Sequence, residues 1–327
     1  MTSASISITA TTTGFGGAGS ADGGGGPSSG SGDGGQAQGG AGPIEPDGPT
    51  RLVVVHGIAD RDRVAFCFAT PDGEGIDMPP FPPGGLGFAE ARDLDVDALP
   101  PSADAVVMIV SGAENDLDDA SCAELLSDPG ESPDLEIVAL GLVPSEALVA
   151  PRIVVLAATG CMGGEDHEND LQEQACGEGY GPLSPTAALV AASPSRLAPV
   201  DRVGFQSLGA SLASAPFDVR LRPGLAGDLF RITASLSWGA AAPFPPNHDR
   251  DLASIGVPSQ LGAVITLPGD EDTVLARIEL ADAADRAGIV TFAEGTAYTI
   301  GFVGPSPALG EGPWWHAFAA FFVPPDP

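Results

Sequence analysis

Lysine is missing from this chain altogether, so its 13 basic residues are all arginines, set against 44 acidic residues and a formal net charge of -31. Binding to nucleic acid or to an anionic membrane surface depends on basic side chains that release counterions from phosphates. A chain this acidic is repelled by both. We therefore expect no nucleic-acid partner, and we expect the field of the protein to attract cations or basic partners.

Long apolar runs are also absent. No stretch of 18 or more apolar residues occurs, so the sequence predicts no transmembrane segment. The first residues, MTSASISITATTTG, lack the basic start and the apolar core of a signal peptide. Apolar residues still make up 43% of the chain, which is enough for a substantial core under an acidic surface.

The sequence also has no closely spaced pair of cysteines. None of the four cysteines forms a C-x-x-C pair, the spacing that usually presets half of a zinc tetrahedron, so disulfide bonds are the better interpretation. Of the three connectivities that four cysteines allow, chain order favours Cys67 with Cys122 and Cys161 with Cys176. Disulfides imply an oxidising compartment and predict an extracytoplasmic protein, in the periplasm, on the outer surface or secreted.

The missing export signal conflicts with that compartment. We resolve the conflict by expecting the chain to start downstream of its signal, with a cytoplasmic location as the alternative. Residues 1–50 are predicted to be a disordered, low-complexity tether, because residues 14–50 are almost entirely Gly, Ser, Ala, Pro and Asp and offer little to bury. Such a segment serves either as a stalk to an anchor or as an untethered tail.

From residue 51 onward, short apolar runs alternate with Pro, Gly and Asp clusters, which is typical of β-strands. Helix signals are sparse, at 118–128 and 280–288. The sequence therefore predicts an all-β chain built as a sandwich or barrel. The predicted strands are 51–57, 64–70, 105–112, 135–141, 152–160, 202–208, 217–224, 229–238, 262–269, 274–280, 297–304 and 314–324.

The two halves of the chain echo one another. Residues 51–69 can be laid against 202–221, and residues 97–113 against 265–281. We interpret this as a tandem duplication with a boundary near 194–201. The predicted domains are a first β-sandwich at 51–198, with a disulfide-closed insert, and a second β-sandwich at 199–327.

Three short motifs carry a resemblance: VVVHGIAD at 53–60, APFDVRLRPG at 215–224 and EGTAYTIGFVG at 294–304. They resemble a secreted bacterial domain of unknown function that occurs singly or in tandem. Membership would imply an immunoglobulin-like or transthyretin-like β-sandwich and no catalytic residues. The chain departs from that pattern after His56, where Gly-Ile-Ala-Asp replaces Ser-Pro-Asp, and it has no lipobox cysteine.

The insert at 159–182 resembles an element of large secreted proteins of myxobacterial type, which often follow a lipoprotein stalk. Within it, His167 lies among the acidic residues Glu165, Asp166, Glu168 and Asp170. H-E-N-D is not the zinc motif H-E-x-x-H, so we interpret this segment as a solvated loop closed by Cys161 and Cys176 rather than as a metal site. Whether Tyr180, just beyond that loop, belongs to a binding surface is left open.

Other candidate sites are weaker. Ser211 in GASLA could be a hydrolase nucleophile only if a helix followed it, and the strand-like FDVRL follows instead. His56, at a strand end, is interpreted as a turn or core hydrogen-bonding residue. Asp116, Asp118 and Asp119 resemble part of a calcium loop but lack the Gly and the distal Glu of an EF-hand.

The C-terminal run WWHAFAAFFVP carries Trp314, Trp315 and His316. If it is a strand, the two tryptophans point to opposite faces, and the outward one could stack on a sugar or anchor a partner.

Taken together, these features predict a non-enzymatic, exported protein with a structural, adhesive or binding role at the cell envelope and a protein or glycan partner. No catalytic, cofactor-binding or metal-ligating residue is assigned. The alternatives are a secreted hydrolase that uses an acid pair in a loop pocket, with its carboxyls about 5 to 10 Å apart, and a calcium-stabilised adhesion module.

Overall fold

The computed structural model describes residues 50–99, 103–112, 120–127, 135–149, 152–224 and 227–324. The predicted tether and the acidic segment with Asp116, Asp118 and Asp119 lie outside these ranges, apart from residue 50.

The described chain contains sixteen strands. Those of the first half are β1 Arg51–Ile58, β2 Arg63–Ala69, β3 Phe81–Gly87, β4 Ala91–Leu94, β5 Ala105–Ser111, β6 Glu136–Val143, β7 Ile153–Gly160 and β8 Ala188–Ala192. Those of the second half are β9 Gly204–Gly209, β10 Phe217–Pro223, β11 Phe230–Leu236, β12 Ala241–Asn247, β13 Leu261–Leu267, β14 Asp270–Glu279, β15 Ala297–Val303 and β16 Ala319–Phe322.

The helices are short. They are α1 Cys122–Ser127, α2 Ser145–Val149, α3 Gln172–Cys176, α4 Leu252–Ile255 and α5 Ala281–Arg286, with single 3₁₀ turns at Val96–Ala98 and Pro258–Gln260.

The strands form four sheets with a repeated topology. The first half has the orders β4-β1-β7-β8 and β3-β2-β5-β6, and the second has β12-β9-β15-β16 and β11-β10-β13-β14. Adding eight to each strand number of the first half gives the second half. Each half also has one parallel pair, β1 with β7 and β9 with β15. The prediction of an all-β chain with two tandem sandwiches is confirmed.

This topology corrects one of the two sequence alignments between the halves. Strand β5 corresponds to β13, whereas residues 265–281 cover the end of β13 and all of β14, the counterpart of β6. The alignment of 97–113 with 265–281 is therefore displaced by one strand. The predicted boundary at 198/199 lies in the connection between β8 and β9, where Leu197 already bridges Thr296 of the second half.

Backbone hydrogen bonds fix the register between the halves. The amide and carbonyl of His56 pair with Glu90 and Ala89, and those of Gly209 pair in the same way with residues 239–240. His56 and Gly209 are thus equivalent. Counting forward, the charged turn 60–62 (Asp-Arg-Asp) corresponds to 213–215 (Ala-Ser-Ala).

The four sheets stack in four layers. Along β1, Leu52 and Val54 point into the first sandwich, while Val53 and Val55 point the other way and pack against residues of the second half. This alternation is what the period of two along a strand requires. Because the two middle sheets are covered on both faces, β1 and β7 are buried along their whole length.

The seam between the halves is apolar and close-packed. Its members from the second half include Leu208, Val303 and Phe321. Gly301 pairs with Phe321, and a methyl group at Gly301 would overlap the phenylalanine ring.

We expect Gly301→Ala to lower the free energy of unfolding by about 1 to 3 kcal/mol, because overpacking forces the seam to shift. Urea unfolding measures this. The matched control is Gly310→Ala, whose added methyl meets no heavy atom within 4 Å. A double variant that combines Gly301→Ala with a smaller residue at position 321 tests the overpacking. If Gly301→Ala lowers the free energy of unfolding just as much in that background, overpacking is not the cause.

Four strands that the sequence did not predict, β3, β4, β8 and β12, all lie at sheet edges. Two of them are rich in proline: FPPGGLG in β3 and AAPFPPN in β12. Proline cannot donate to a ladder and is tolerated at an edge, so its presence hides such a strand from sequence patterns.

The C-terminal strand is shorter than predicted. It begins at Ala319, so Trp314 and Trp315 lie in the connection between β15 and β16. The prediction that they alternate across a strand is wrong. Trp315 is buried and Trp314 is partly buried.

Candidate functional site

Two long connections meet at one end of the stack. They are residues 161–187, between β7 and β8, and residues 304–318, between β15 and β16, which occupy equivalent places in the two halves. The amide of Ser306 donates to the carbonyl of Gln174 at 3.0 Å. A small apolar cluster joins Trp315 to the disulfide cysteines and Tyr180. The composite end surface thus uses parts of both halves.

All four cysteines are paired and fully buried. Cys67 of β2 pairs with Cys122 of α1, and Cys161 at the end of β7 pairs with Cys176 of α3, with Cα atoms 5.5 and 5.3 Å apart. These are the pairs that chain order favours.

The disulfide-closed loop is not simply solvated, which corrects the sequence interpretation. Its acidic residues Glu165, Asp166, Glu168 and Asp170 are exposed. The side chain of His167, however, is only 15% exposed and stacks on Trp314 with ring centroids 4.4 Å apart. Its Nδ1 lies 3.2 Å from the Tyr180 hydroxyl and 3.4 Å from Asp60 Oδ2. Tyr180 therefore belongs to an internal polar network.

Asp60 lies at the centre of that network. Its carboxylate is fully buried and accepts the amides of Met162 and Gly163, both at 2.9 Å. Arg61 Nη1 lies 3.1 Å away. Burial raises the pKa of the Asp60 carboxyl, against the opposing influence of Arg61, the two amides and His167. Asp60 thus ties the turn after β1 to the start of the disulfide loop.

Arg61 connects this network to the surface. Its guanidinium binds Glu136 of β6 and the carbonyl of Gly163. Its own carbonyl accepts hydrogen bonds from Nε2 of His56 at 3.0 Å and Nε2 of His316 at 3.1 Å. One residue therefore joins β1, β6 and both long connections.

His56 has the core hydrogen-bonding role that the sequence suggested. Its ring is fully buried, with Nδ1 accepting the amide of Ile58 at 3.2 Å and Nε2 donating to Arg61. A neutral ring satisfies both contacts. Burial lowers the pKa of His56 to about 3.

A loss of stability in acid follows from this residue. Between pH 7 and pH 4 the unfolded chain binds a proton at His56, whose unfolded pKa is about 6.5, and the folded protein does not. Its contribution is fully present above pH 6.5 and falls as the pH drops, by about 3 kcal/mol at pH 4. We expect the stability difference between wild type and His56→Gln, from urea unfolding, to shrink by that amount. A difference independent of pH would contradict this.

A cleft of about 710 Å³ opens beside the network. Its wall combines charged and aromatic side chains from the β1–β2 turn, the end of β5, the start of β6 and both long connections. The side chains of Asp62 and Glu136 are 93% and 53% exposed. The lining residues are Asp60, Arg61, Asp62, Arg63, Ser111, Gly112, Glu136, His167, Glu311, Gly312, Pro313, Trp314, Trp315 and His316.

The other candidates lie elsewhere. Ser211 is buried, its hydroxyl lies 2.7 Å from the carbonyl of Gly304 and 2.9 Å from that of Pro305, and strand β10 follows it rather than a helix. In the acidic run 269–273, Asp270 caps its own hairpin through Thr273, and Glu271 pairs with Arg220.

The described ranges contain neither a metal-binding cluster nor a membrane-spanning helix. No group of three or more His, Cys, Asp or Glu side chains there is arranged to hold a metal ion. No helix in the same part of the chain has the length and apolar character to cross a membrane.

Comparisons with known proteins give little. No protein-family model and no curated protein matches the chain. Two solved structures named "putative cell adhesion protein" align with it. That of Parabacteroides distasonis ATCC 8503 is 10% identical, with a TM-score of 0.20 over 85% of this chain and 99% of that one. That of Bacteroides eggerthii DSM 20697 is 10% identical, with a TM-score of 0.17 over 87% and 98%. Scores this low bear on neither fold nor function.

Proposed function

We propose that this chain is a non-enzymatic, extracytoplasmic protein with an adhesive or binding role at the cell envelope, and that the cleft is its contact surface for a protein or glycan partner. Membership of the secreted bacterial family that its motifs resemble is part of this proposal.

The main support for this proposal is the difference in sequence between equivalent turns of the two halves. The turn 60–62 is Asp-Arg-Asp, whereas the equivalent turn 213–215 is Ala-Ser-Ala in a half of the same topology. The sandwich therefore does not need charge at this position. Residues that the fold does not require are expected at functional sites.

The proposed extracytoplasmic location has separate support. Both disulfides are buried, and structural disulfides of this kind persist in oxidising surroundings. Intact-mass measurement with and without reductant, on protein from the native host, tests this. Four free thiols in freshly isolated protein would contradict an extracytoplasmic location.

A non-catalytic role is favoured by how the cleft acids are held. Two of them, Asp60 and Glu136, share the guanidinium of Arg61, and the Asp60 carboxyl is fully buried. An acid that donates a proton to a substrate must reach it, and Asp60 lies behind Arg61. Release of product from chromogenic glycosides or esters, abolished by Glu136→Gln, would instead support the hydrolase alternative.

Binding at the cleft can be tested with a double variant of its exposed rim. Asp62→Ala with Glu311→Ala removes two carboxylates from the cleft lining, of which that of Asp62 lies 3.2 Å from Nε2 of His316. We expect it to lose binding on a glycan array or a library of short basic peptides while keeping the wild-type melting temperature at pH 8. The control, Asp272→Ala with Glu294→Ala, removes the same charge from exposed positions elsewhere. Equal binding by both variants would contradict the proposal.

A further inference from the structure

Three of the four histidines of the chain converge on one turn. His56, His167 and His316 come from β1 and from the two long connections, and each contacts residues 60–62. The fourth, His248, lies in the second half and contacts the carbonyl of Pro246. Such a gathering places three imidazole rings at the meeting point of the two halves.

Two of these rings make reciprocal contacts across the seam. His167 of the first half stacks on Trp314 of the second, with centroids 4.4 Å apart and planes 4° from parallel. His316 of the second half stacks on Phe88 of the first, also at 4.4 Å, with planes 15° apart.

Each of these histidines also faces a carboxylate. His167 Nδ1 lies 3.4 Å from Asp60 Oδ2, and His316 Nε2 lies 3.2 Å from Asp62 Oδ1. A neutral imidazole makes only hydrogen bonds in these places. An imidazolium adds an ion pair and the attraction of a cation to an aromatic face.

We propose that His167 and His316 form a clasp that a proton strengthens, so that the two halves are held together more tightly as the pH falls from about 8 to about 5. The groups that face the two rings are the turn 60–63 (Asp-Arg-Asp-Arg), His56, Glu136, Tyr180 and Glu311. They comprise four carboxylates and two guanidinium groups.

His56 acts in the opposite direction, because it is buried without a carboxylate and loses its contribution in acid. The stability of the wild type measured against pH would therefore combine the loss from His56 with the gain from the clasp. Comparing His167→Gln with wild type at two pH values separates them, because His56 is present in both proteins. In His316→Gln a charge that lowers the pKa of His56 is removed as well.

The first test is thermal unfolding of His167→Gln, His316→Gln and the control His248→Gln at pH 8 and pH 5. The clasp predicts that the deficit in melting temperature of the first two, relative to wild type, grows by about 3 °C or more at pH 5. The deficit of His248→Gln stays constant. If all three deficits change equally, the proposal is wrong.

The second test needs no destabilising variant. Imidazolium in contact with indole quenches its fluorescence, so the tryptophan emission of the wild type should fall between pH 8 and pH 5. The fall should disappear in His167→Gln and persist in His316→Gln. For His316 the partner Asp62 is almost fully exposed, and a double-mutant cycle of His316→Gln with Asp62→Asn should show coupling at pH 5 and none at pH 8. Ring proton signals of His167 and His316 that do not move between these pH values would overturn the clasp.

Discussion

Replacing Asp60 with alanine is expected to lower the free energy of unfolding by about 3 to 5 kcal/mol. The buried amides of Met162 and Gly163 would lose their acceptor, and Arg61 would lose a partner at the base of the cleft. A buried donor left without an acceptor bears its full desolvation cost, and an unpaired guanidinium adds to it. Urea unfolding, read as a change of midpoint at constant slope, measures the loss.

Asp62→Ala is the matched control for this change. It removes the same group two residues away, where the side chain is 93% exposed and pairs with His316. Because exposed ion pairs contribute little, we expect a change below about 1 kcal/mol. Asp60→Asn should fall between the two, since its amide oxygen still accepts one of the two backbone donors. Equal losses at positions 60 and 62 would show that Asp60 does not hold the disulfide loop.

The fold was predictable where burial imposes a pattern. Runs such as RLVVVHG and RIVVLAATG became β1 and β7, because a middle sheet covered on both faces requires continuous apolar residues. Edge strands do not require continuous apolar residues. The runs FPPGGLG and AAPFPPN have the composition of turns, and they are strands only because a neighbouring strand supplies the ladder.

The candidate site was less predictable. Asp60 and Arg61 are adjacent in sequence, but their partners Gly163 and Glu136 are about 100 and 75 positions away. A charged run directly after a buried strand, as in VVVHGIADRDR, was the available signal. The sequence predicted a solvated disulfide loop because six consecutive residues in it, 165–170, are polar or charged. Contacts with Trp314 of the other half, and with Asp60 and Tyr180 of its own half, hold His167 at the interior side of the loop.

The repeated topology explains why the site lies where it does. The connections that follow β1 and β7 leave their sheet at one end because these strands are parallel, and the same holds for β9 and β15. The hydrogen bond from Ser306 to Gln174 shows that these two ends lie together. Lengthening the equivalent connections β7–β8 and β15–β16 therefore brings two insertions together without disturbing either sandwich. The charged turn of the first half then gives the composite surface its chemistry.

The two disulfides should differ in what their removal does. Cys67 and Cys122 are 55 residues apart in sequence, and Cys161 and Cys176 are 15 apart. The chain-entropy model gives about 4 kcal/mol for the longer loop and about 3 kcal/mol for the shorter one. We therefore expect Cys67→Ala with Cys122→Ala to be the more destabilising pair of substitutions in urea unfolding.

Removal of the shorter disulfide should disturb the cleft more than removal of the longer one. Cys67 and Cys122 lie in the core of the first sandwich, whereas Cys161 and Cys176 form the apolar platform on which Trp315 rests. Removing the shorter disulfide should loosen His167 from Trp314 and change tryptophan emission in the folded protein at pH 7. Removing the longer one should leave that emission as in wild type. If the shorter disulfide could be removed with no spectral change, Asp60 and Tyr180 alone would suffice to hold the loop, and the disulfide would stabilise the protein only through its unfolded state.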